Sequence, residues 1–261
     1  MEVRVEGLEG PDRGIVLLGL DRPSARNALG RQLLTEFRQA LADLRLDAAV
    51  RVVVVHSLVP GTFCAGADLK ERTTMSPSET AAYVQGIRDA FDELEDLPMP
   101  TIAAIEGGAF GGGLELALAA DLRVVGSEAM MGLVETALAI IPGAGGTQRL
   151  SRLIGISRAK ALIFTARRIG AEEAGRLGLA DQLVAAGEAL SGALALAREI
   201  LPNGPLAVRL AKQAVNGGSE LSLRAGLAFE QACYAQVLST KDRLEGLAAF
   251  REKRNPRFRG E

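Results

Sequence analysis

The period of apolar positions changes several times along the chain, and each change marks an element. Gly14–Leu20 (GIVLLGL) is a short apolar run closed by Asp21-Arg22-Pro23, which reads as a strand followed by a loop. Leu33, Leu34, Phe37, Leu41 and Leu44 then recur at three- and four-residue steps, which predicts an amphipathic helix within Leu29–Leu46. Arg51–His56 (RVVVVH) is β-branched without alternation, as expected of a strand buried on both faces. Ser57–Gly66 is loop, turning at Pro60-Gly61. A helix is expected from Ser76 to Leu97, opened by a Ser76/Glu79 capping box and stopped by Pro98-Met99-Pro100. Thr101–Ile105 is a further strand. The glycine-rich stretch Gly107–Gly113 leads into an Ala/Leu helix, Leu114–Ala120, and Leu122–Val125 resumes strand character. A second glycine-rich loop, Ile141–Gly146, feeds a helical stretch carrying Leu150, Leu153 and Ile154. Beyond about Ala185 the β signal fades, and helices follow at Leu190–Leu201, Pro205–Val215, Leu221–Leu238 and Lys241–Arg251. The pattern predicts an α/β core with a helical C-terminal domain, divided as residues 1–195 and 196–261.

Composition narrows the function. Hydrophobic residues make up 48% and charged residues 24%, ordinary for a globular chain, and the formal net charge is -2. No global positive field attracts nucleic acid or anionic lipid. The longest apolar stretches fall well short of the ~20 residues of a membrane span, and Met1 opens an alternating segment instead of a signal peptide. A cytoplasmic location without membrane association is expected. Two cysteines, Cys64 and Cys233, supply neither a disulfide framework nor a thiolate metal cluster. The single histidine, His56, closes a strand and reads as structural; acid/base chemistry must come from carboxylates.

Three segments could carry that chemistry. Neither glycine-rich loop fits a nucleotide fingerprint: Gln148 stands where a third glycine would be needed, and no P-loop lysine follows. Gly111–Gly113 instead offers bare backbone N–H groups at a helix N-terminus, able to hold the oxygen of a thioester becoming an enolate, or serves only close packing. Glu115 follows in the first helical turn. It either faces solvent, favoured by the helix dipole, or enters an apolar cleft where burial raises its pKa. Glu135, in Met131–Thr136 (MGLVET), is either a loop-edge cap or the second member of an acid/base pair. In Phe63–Lys70 (FCAGADLK), Asp68 is either an N-cap or part of a surface that accepts a flat ligand and a carbonyl oxygen.

Taken together, Phe63–Lys70, Pro100–Asp121 (PTIAAIEGGAFGGGLELALAAD) and Met131–Leu150 (MGLVETALAIIPGAGGTQRL) resemble the crotonase (enoyl-CoA hydratase/isomerase) superfamily in order and spacing, along nearly the whole chain. The wording of Gly66–Arg72, Met131–Thr136 and Thr240–Arg254 is most similar to the methylglutaconyl-CoA hydratase branch. The resemblance implies a spiral of ββα units with a helical trimerisation domain, assembled as a homotrimer or hexamer. It implies an enoyl-CoA hydratase, a hydro-lyase adding water syn across the 2,3 double bond of an acyl-CoA thioester. No cofactor is implied, CoA being part of the substrate. Glu115 and Glu135 would be catalytic, and the N–H groups of Ala67 and Gly112 would form the oxyanion hole. Ala65, Gly66 and Asp68 would line the acyl-CoA groove, with Ala25 and Arg26 near the CoA nucleotide. Phe250 and Lys253 would approach its adenosine or phosphate, or belong to a solvated helix.

The branch points to 3-methylglutaconyl-CoA of leucine degradation. The alternatives are a general short- or medium-chain hydratase of fatty-acid β-oxidation and, in another class, an RNA-binding or non-catalytic crotonase-fold protein. Arg72, Arg88 and Arg149 are candidates for a distal substrate carboxylate. Some members of the branch bind RNA through a lysine-rich first helix. Here Arg31, Arg38 and Arg45 are offset by Glu36, Asp43 and Asp47, so no nucleic-acid partner is expected.

Overall fold

One supersecondary unit recurs and explains most of the architecture of the computed structural model, which describes all 261 residues. A strand is followed by a very short second strand and then a helix. The first such unit is β3 (Val52–Ser57), β4 (Thr62–Cys64), the short α2 (Leu69–Arg72) and α3 (Pro77–Glu95). It is followed by β5 (Thr101–Ile105), β6 (Gly108–Phe110) and α4 (Gly112–Ala119), then by β7 (Leu122–Gly126), β8 (Met130–Gly132) and α5 (Gly146–Ile154). The long strands join one sheet in parallel and the short strands another. With β1 (Val3–Gly7), β2 (Ile15–Leu20) and β10 (Gln182–Val184), the larger sheet has six strands in the order β1-β2-β3-β5-β7-β10. β9 (Ile169–Gly170) completes the smaller, in the order β4-β6-β8-β9. Each unit adds a strand to both sheets, which produces the expected spiral.

The run Val52–Val55 shows why this sheet needs no polar alternation. Val53 and Val55 face the main core with α1 (Arg31–Leu46), α3 and α4, whereas Val52 and Val54 face a second apolar layer. That layer is closed by Ala189, Ala193 and Ala197 of α8 (Ala189–Ile200), small residues on one helical face that let the helix lie close to the strands. The expected boundary between residues 195 and 196 therefore falls inside a helix that belongs to the spiral layer. A helical sequence signal alone cannot tell a helix packed on a sheet from one beyond it.

α6 (Ile156–Thr165) and α7 (Ala171–Leu177) complete the spiral, and α9 (Pro205–Ser219), α10 (Leu223–Val237) and α11 (Lys241–Glu252) form the C-terminal end. Lys212 of α9 is anchored to the spiral by Nζ bonds to Asp121 Oδ2 at 2.8 Å and Met99 O at 3.1 Å. Leu223, Leu227, Tyr234, Leu244, Leu247 and Phe250 stay exposed on the last two helices. No helix is long and apolar enough to cross a membrane.

Candidate active site

The turn from β6 into α4 fixes the first acid. Gly111 has φ +52°, a left-handed conformation suited to glycine, and its carbonyl accepts the N–H of Glu115 at 3.0 Å. Close packing explains Gly113: a methyl group there would come within 2.1 Å of Cys64 O, so α4 can lie against β4 only with glycine. Glu115 consequently points inward and is 3% exposed. Its Oε1 accepts the N–H groups of Ala144, in the loop before α5, and of Gly146, the first residue of α5, both at 2.8 Å. Burial pushes its pKa up, while these amides and the charges of Arg149 and Arg88 act the other way.

Glu135 opens a 3-10 turn, Glu135–Leu138, separated from β8 by Leu133 and Val134. Its Oε2 is buried without a hydrogen-bond partner, and its Oε1 lies 3.1 Å from where a methyl group on Gly111 would stand. The two acids thus meet at the N-terminus of α4. Burial first, and then the charge of Glu115, pushes Glu135 up to about 7. Burial thus raises both neighbouring carboxyls, but in unlike surroundings: Glu115 is held by two amide donors, whereas Glu135 has an oxygen with no donor.

The predicted oxyanion donors also converge. Ala65 N–H donates to Arg26 O at 3.1 Å, Leu29 N–H to Gly66 O at 2.8 Å and Asp68 N–H to Tyr83 Oη at 3.1 Å. The Tyr83 hydroxyl in turn donates to Leu29 O. Among these stapled groups the Ala67 N–H has no protein acceptor. Gly112 is the first residue of α4, where an N–H has no acceptor within the helix. A methyl group on Gly112 would stand 3.4 Å from Ala67 N, so both amides border one small space.

These features suit a reaction that moves protons between two carboxylates while two amides hold an oxyanion, and residues 10–261 match the family model described as enoyl-CoA hydratase/isomerase. The chain belongs to that family. Relatives and solved structures it matches are named hydratases, and the chain is an enoyl-CoA hydratase. The methylglutaconyl-CoA hydratase, mitochondrial, of Mus musculus is 55% identical over 264 residues, covering 100% of this chain and 84% of that protein. Enoyl-CoA hydratase domain-containing protein 2, mitochondrial, of the same species is 54% identical, covering 99% of this chain and 89% of that protein. The crystal structure of enoyl-CoA hydratase from Bacillus anthracis superposes with a TM-score of 0.97 at 46% identity, covering 100% of both chains.

Within this family member the remaining expected residues separate into two places. Ala25 and Arg26 end a short 3-10 turn and border Ala65 through the Arg26 carbonyl, with Arg26 and Ala65 exposed at the edge of the site. Asp68 is buried, and its carboxylate is engaged: Oδ1 accepts Lys70 N–H at 2.9 Å and Glu71 N–H at 3.1 Å, and Oδ2 pairs with Arg22 Nη1 at 2.7 Å. Of its two sequence readings, the capping role is the one seen, so Asp68 shapes the loop beside Ala67. Phe250 and Lys253 lie apart from the acids, on and just after α11; Phe250 is 85% exposed and Lys253 caps the helix in a left-handed conformation. His56 is buried at the end of β3, its pKa lowered by burial, and takes no part in the acid pair.

Sequence reasoning missed Ala144 and Gly146 as the holders of Glu115, and Tyr83 and Arg22 as the clamps of the Ala67 loop. The second glycine-rich loop was visible as a loop. Backbone donors leave no mark in residue identity, and nothing in the pattern shows where they aim.

Proposed function

We propose that the chain hydrates a 2-enoyl-CoA, with Glu115 as base, Glu135 as acid and the Ala67 and Gly112 amides as oxyanion hole. The observation that carries this reading is the unequal pair: one buried carboxylate accepting two amides beside another that favours its proton up to about pH 7. Glu115 takes a proton from water as its oxygen bonds to C3. The π electrons move through C2 to the thioester oxygen, which the two amides stabilise as an enolate. Glu135 then protonates C2, and a proton passing from Glu115 to Glu135 restores the starting state. Water is added overall, and no cofactor is required beyond the CoA already in the substrate.

The substrate we favour is 3-methylglutaconyl-CoA, in keeping with the methylglutaconyl-CoA named in the Mus musculus relative. Of the three candidate arginines, Arg149 is taken up by Asp92 and Glu95, and Arg88 by Gly143 O. Arg72, ending α2 beside Tyr83, has no ion-pair partner and is the guanidinium left for a distal carboxylate. The test is the ratio of kcat/KM for 3-methylglutaconyl-CoA over crotonyl-CoA. A ratio well above one, falling in Arg72→Ala, supports the assignment. A ratio well below one removes this substrate and leaves a general enoyl-CoA hydratase.

We also propose a homotrimer, single or paired into a hexamer, supported by the exposed apolar residues of α10 and α11. Phe250 and Lys253 would then meet CoA in the assembly. We retain the cytoplasm as the location, in contrast to the mitochondrial names of the two mouse relatives.

A further inference from the structure

The loop that holds Glu115 is itself held from behind. The Ala144 N–H that donates to Glu115 shares one peptide unit with the Gly143 carbonyl. That carbonyl accepts two donors of Arg88, Nη2 at 2.7 Å and Nε at 3.2 Å. A trans peptide points its C=O and N–H in opposite directions, so the Arg88 guanidinium lies across the peptide from Glu115. The next carbonyl, Ala144 O, accepts Arg149 Nη1 at 3.2 Å. Arg149 is fixed in turn by Glu95 at 2.6 and 2.9 Å and by Asp92 at 2.6 Å, both from α3. Two arginines therefore secure consecutive carbonyls of the loop, while two of its amides secure one carboxylate oxygen.

We propose that Arg88 is a positioning residue that acts on Glu115 through the Gly143–Ala144 peptide, orienting and polarising the N–H that holds the catalytic carboxylate. Hydrogen bonds made in series through one peptide strengthen each other, and a donor bound to the carbonyl makes the opposite N–H a better donor. Arg149, pinned by two carboxylates, is the fixed brace of the same loop. The sidedness separates positioning from substrate contact: Arg88 reaches the loop from the face opposite Glu115. The inference rests on Glu115 being the base, a reading that Glu115→Gln tests separately; if that variant stays active, the base assignment fails whatever Arg88 does.

Arg88 is an exposed residue of α3, and replacing it leaves the core intact. The experiment compares wild type, Arg88→Gln and Arg88→Lys in hydration of crotonyl-CoA and 3-methylglutaconyl-CoA across pH. For Arg88→Gln we expect kcat to fall on the order of tenfold with both substrates, short of the ~10²-fold that a misplacement of about 1 Å can cause. KM should change little. The acidic limb of the pH profile should move to higher pH, because Glu115 loses a favourable charge and a polarised donor. Arg88→Lys, keeping the charge and one donor, should recover part of both effects. An unchanged kcat and acidic limb in Arg88→Gln would overturn the proposal. So would a loss confined to KM for the dicarboxylic thioester, which would make Arg88 a substrate ligand.

Discussion

Glu115 and Glu135 carry the same side chain in two differently built regions. The first sits in the opening turn of a helix closed in by Gly113 against β4, with both donors on one of its oxygens coming from a braced loop. The second opens a short 3-10 turn that ends on exposed Leu138, with Ile141 exposed just beyond, and has one oxygen buried and unpartnered. A rigid, donor-rich region suits a carboxylate that must stay ionised and hold a water. A donor-poor region near another negative charge suits one that must arrive protonated. In the proposed mechanism the division of labour comes from backbone placement, since the residue type is the same.

The strongest way to break this comparison is to remove each acid while keeping its shape. Glu115→Gln and Glu135→Gln should each lower kcat by about 10²–10⁴-fold, the usual worth of a positioned proton-transfer group, with CoA-ester binding retained. Steady-state hydration measured by loss of the conjugated thioester absorbance, together with calorimetric binding of a CoA ester, decides the matter. Near-wild-type rates in both variants would leave the acid pair without a role.

A smaller effect should come from disturbing only the holder of Glu115. A methyl group on Gly146 would stand 2.9 Å from Glu115 Oε1 and 2.9 Å from Leu133 Cδ1, too close for the present geometry. Gly146→Ala should therefore shift the carboxylate and lower kcat by about 10²-fold while leaving KM nearly unchanged. If kcat survives, the donors from this loop do not set the working geometry of Glu115.

How much of this was legible in the sequence differs between the same two regions. The Gly111–Gly113 run and Glu115 stood out because a helix start was evident and its other residues were apolar. The long strands were equally plain, their β-branched runs reflecting burial on both faces. The second sheet was hidden: Thr62–Cys64, Gly108–Phe110 and Met130–Gly132 are too short to show a period. Glu135 could be named only as a candidate, since its nearness to Glu115 is created by the spiral. Arg88 could be named only as a candidate for a substrate carboxylate, because its contact with the loop depends on a carbonyl that folding brings to it.

The smallest expected effect is on stability, and it concerns Glu135 alone. Its pKa in the folded chain is about 7, against an ordinary 4.5. A carboxyl group with a raised folded pKa favours folding fully below its unfolded value and loses that contribution as pH rises through its folded value. Wild type should therefore lose stability between about pH 4.5 and 7, whereas Glu135→Gln, which cannot ionise there, should not. The full shift at ~1.4 kcal/mol per unit sets an upper bound, and solvent around the half-buried group reduces it to about 2 kcal/mol above pH 7. Urea unfolding of both proteins at pH 5 and pH 8, at one protein concentration, measures this as a difference. Similar stability at pH 5 and a more stable Glu135→Gln at pH 8 is the expected outcome. Equal stability at pH 8 would mean that Glu135 ionises without penalty. The proton assigned to it would then have to come from elsewhere, and the contrast between the two regions would no longer explain which glutamate is the acid.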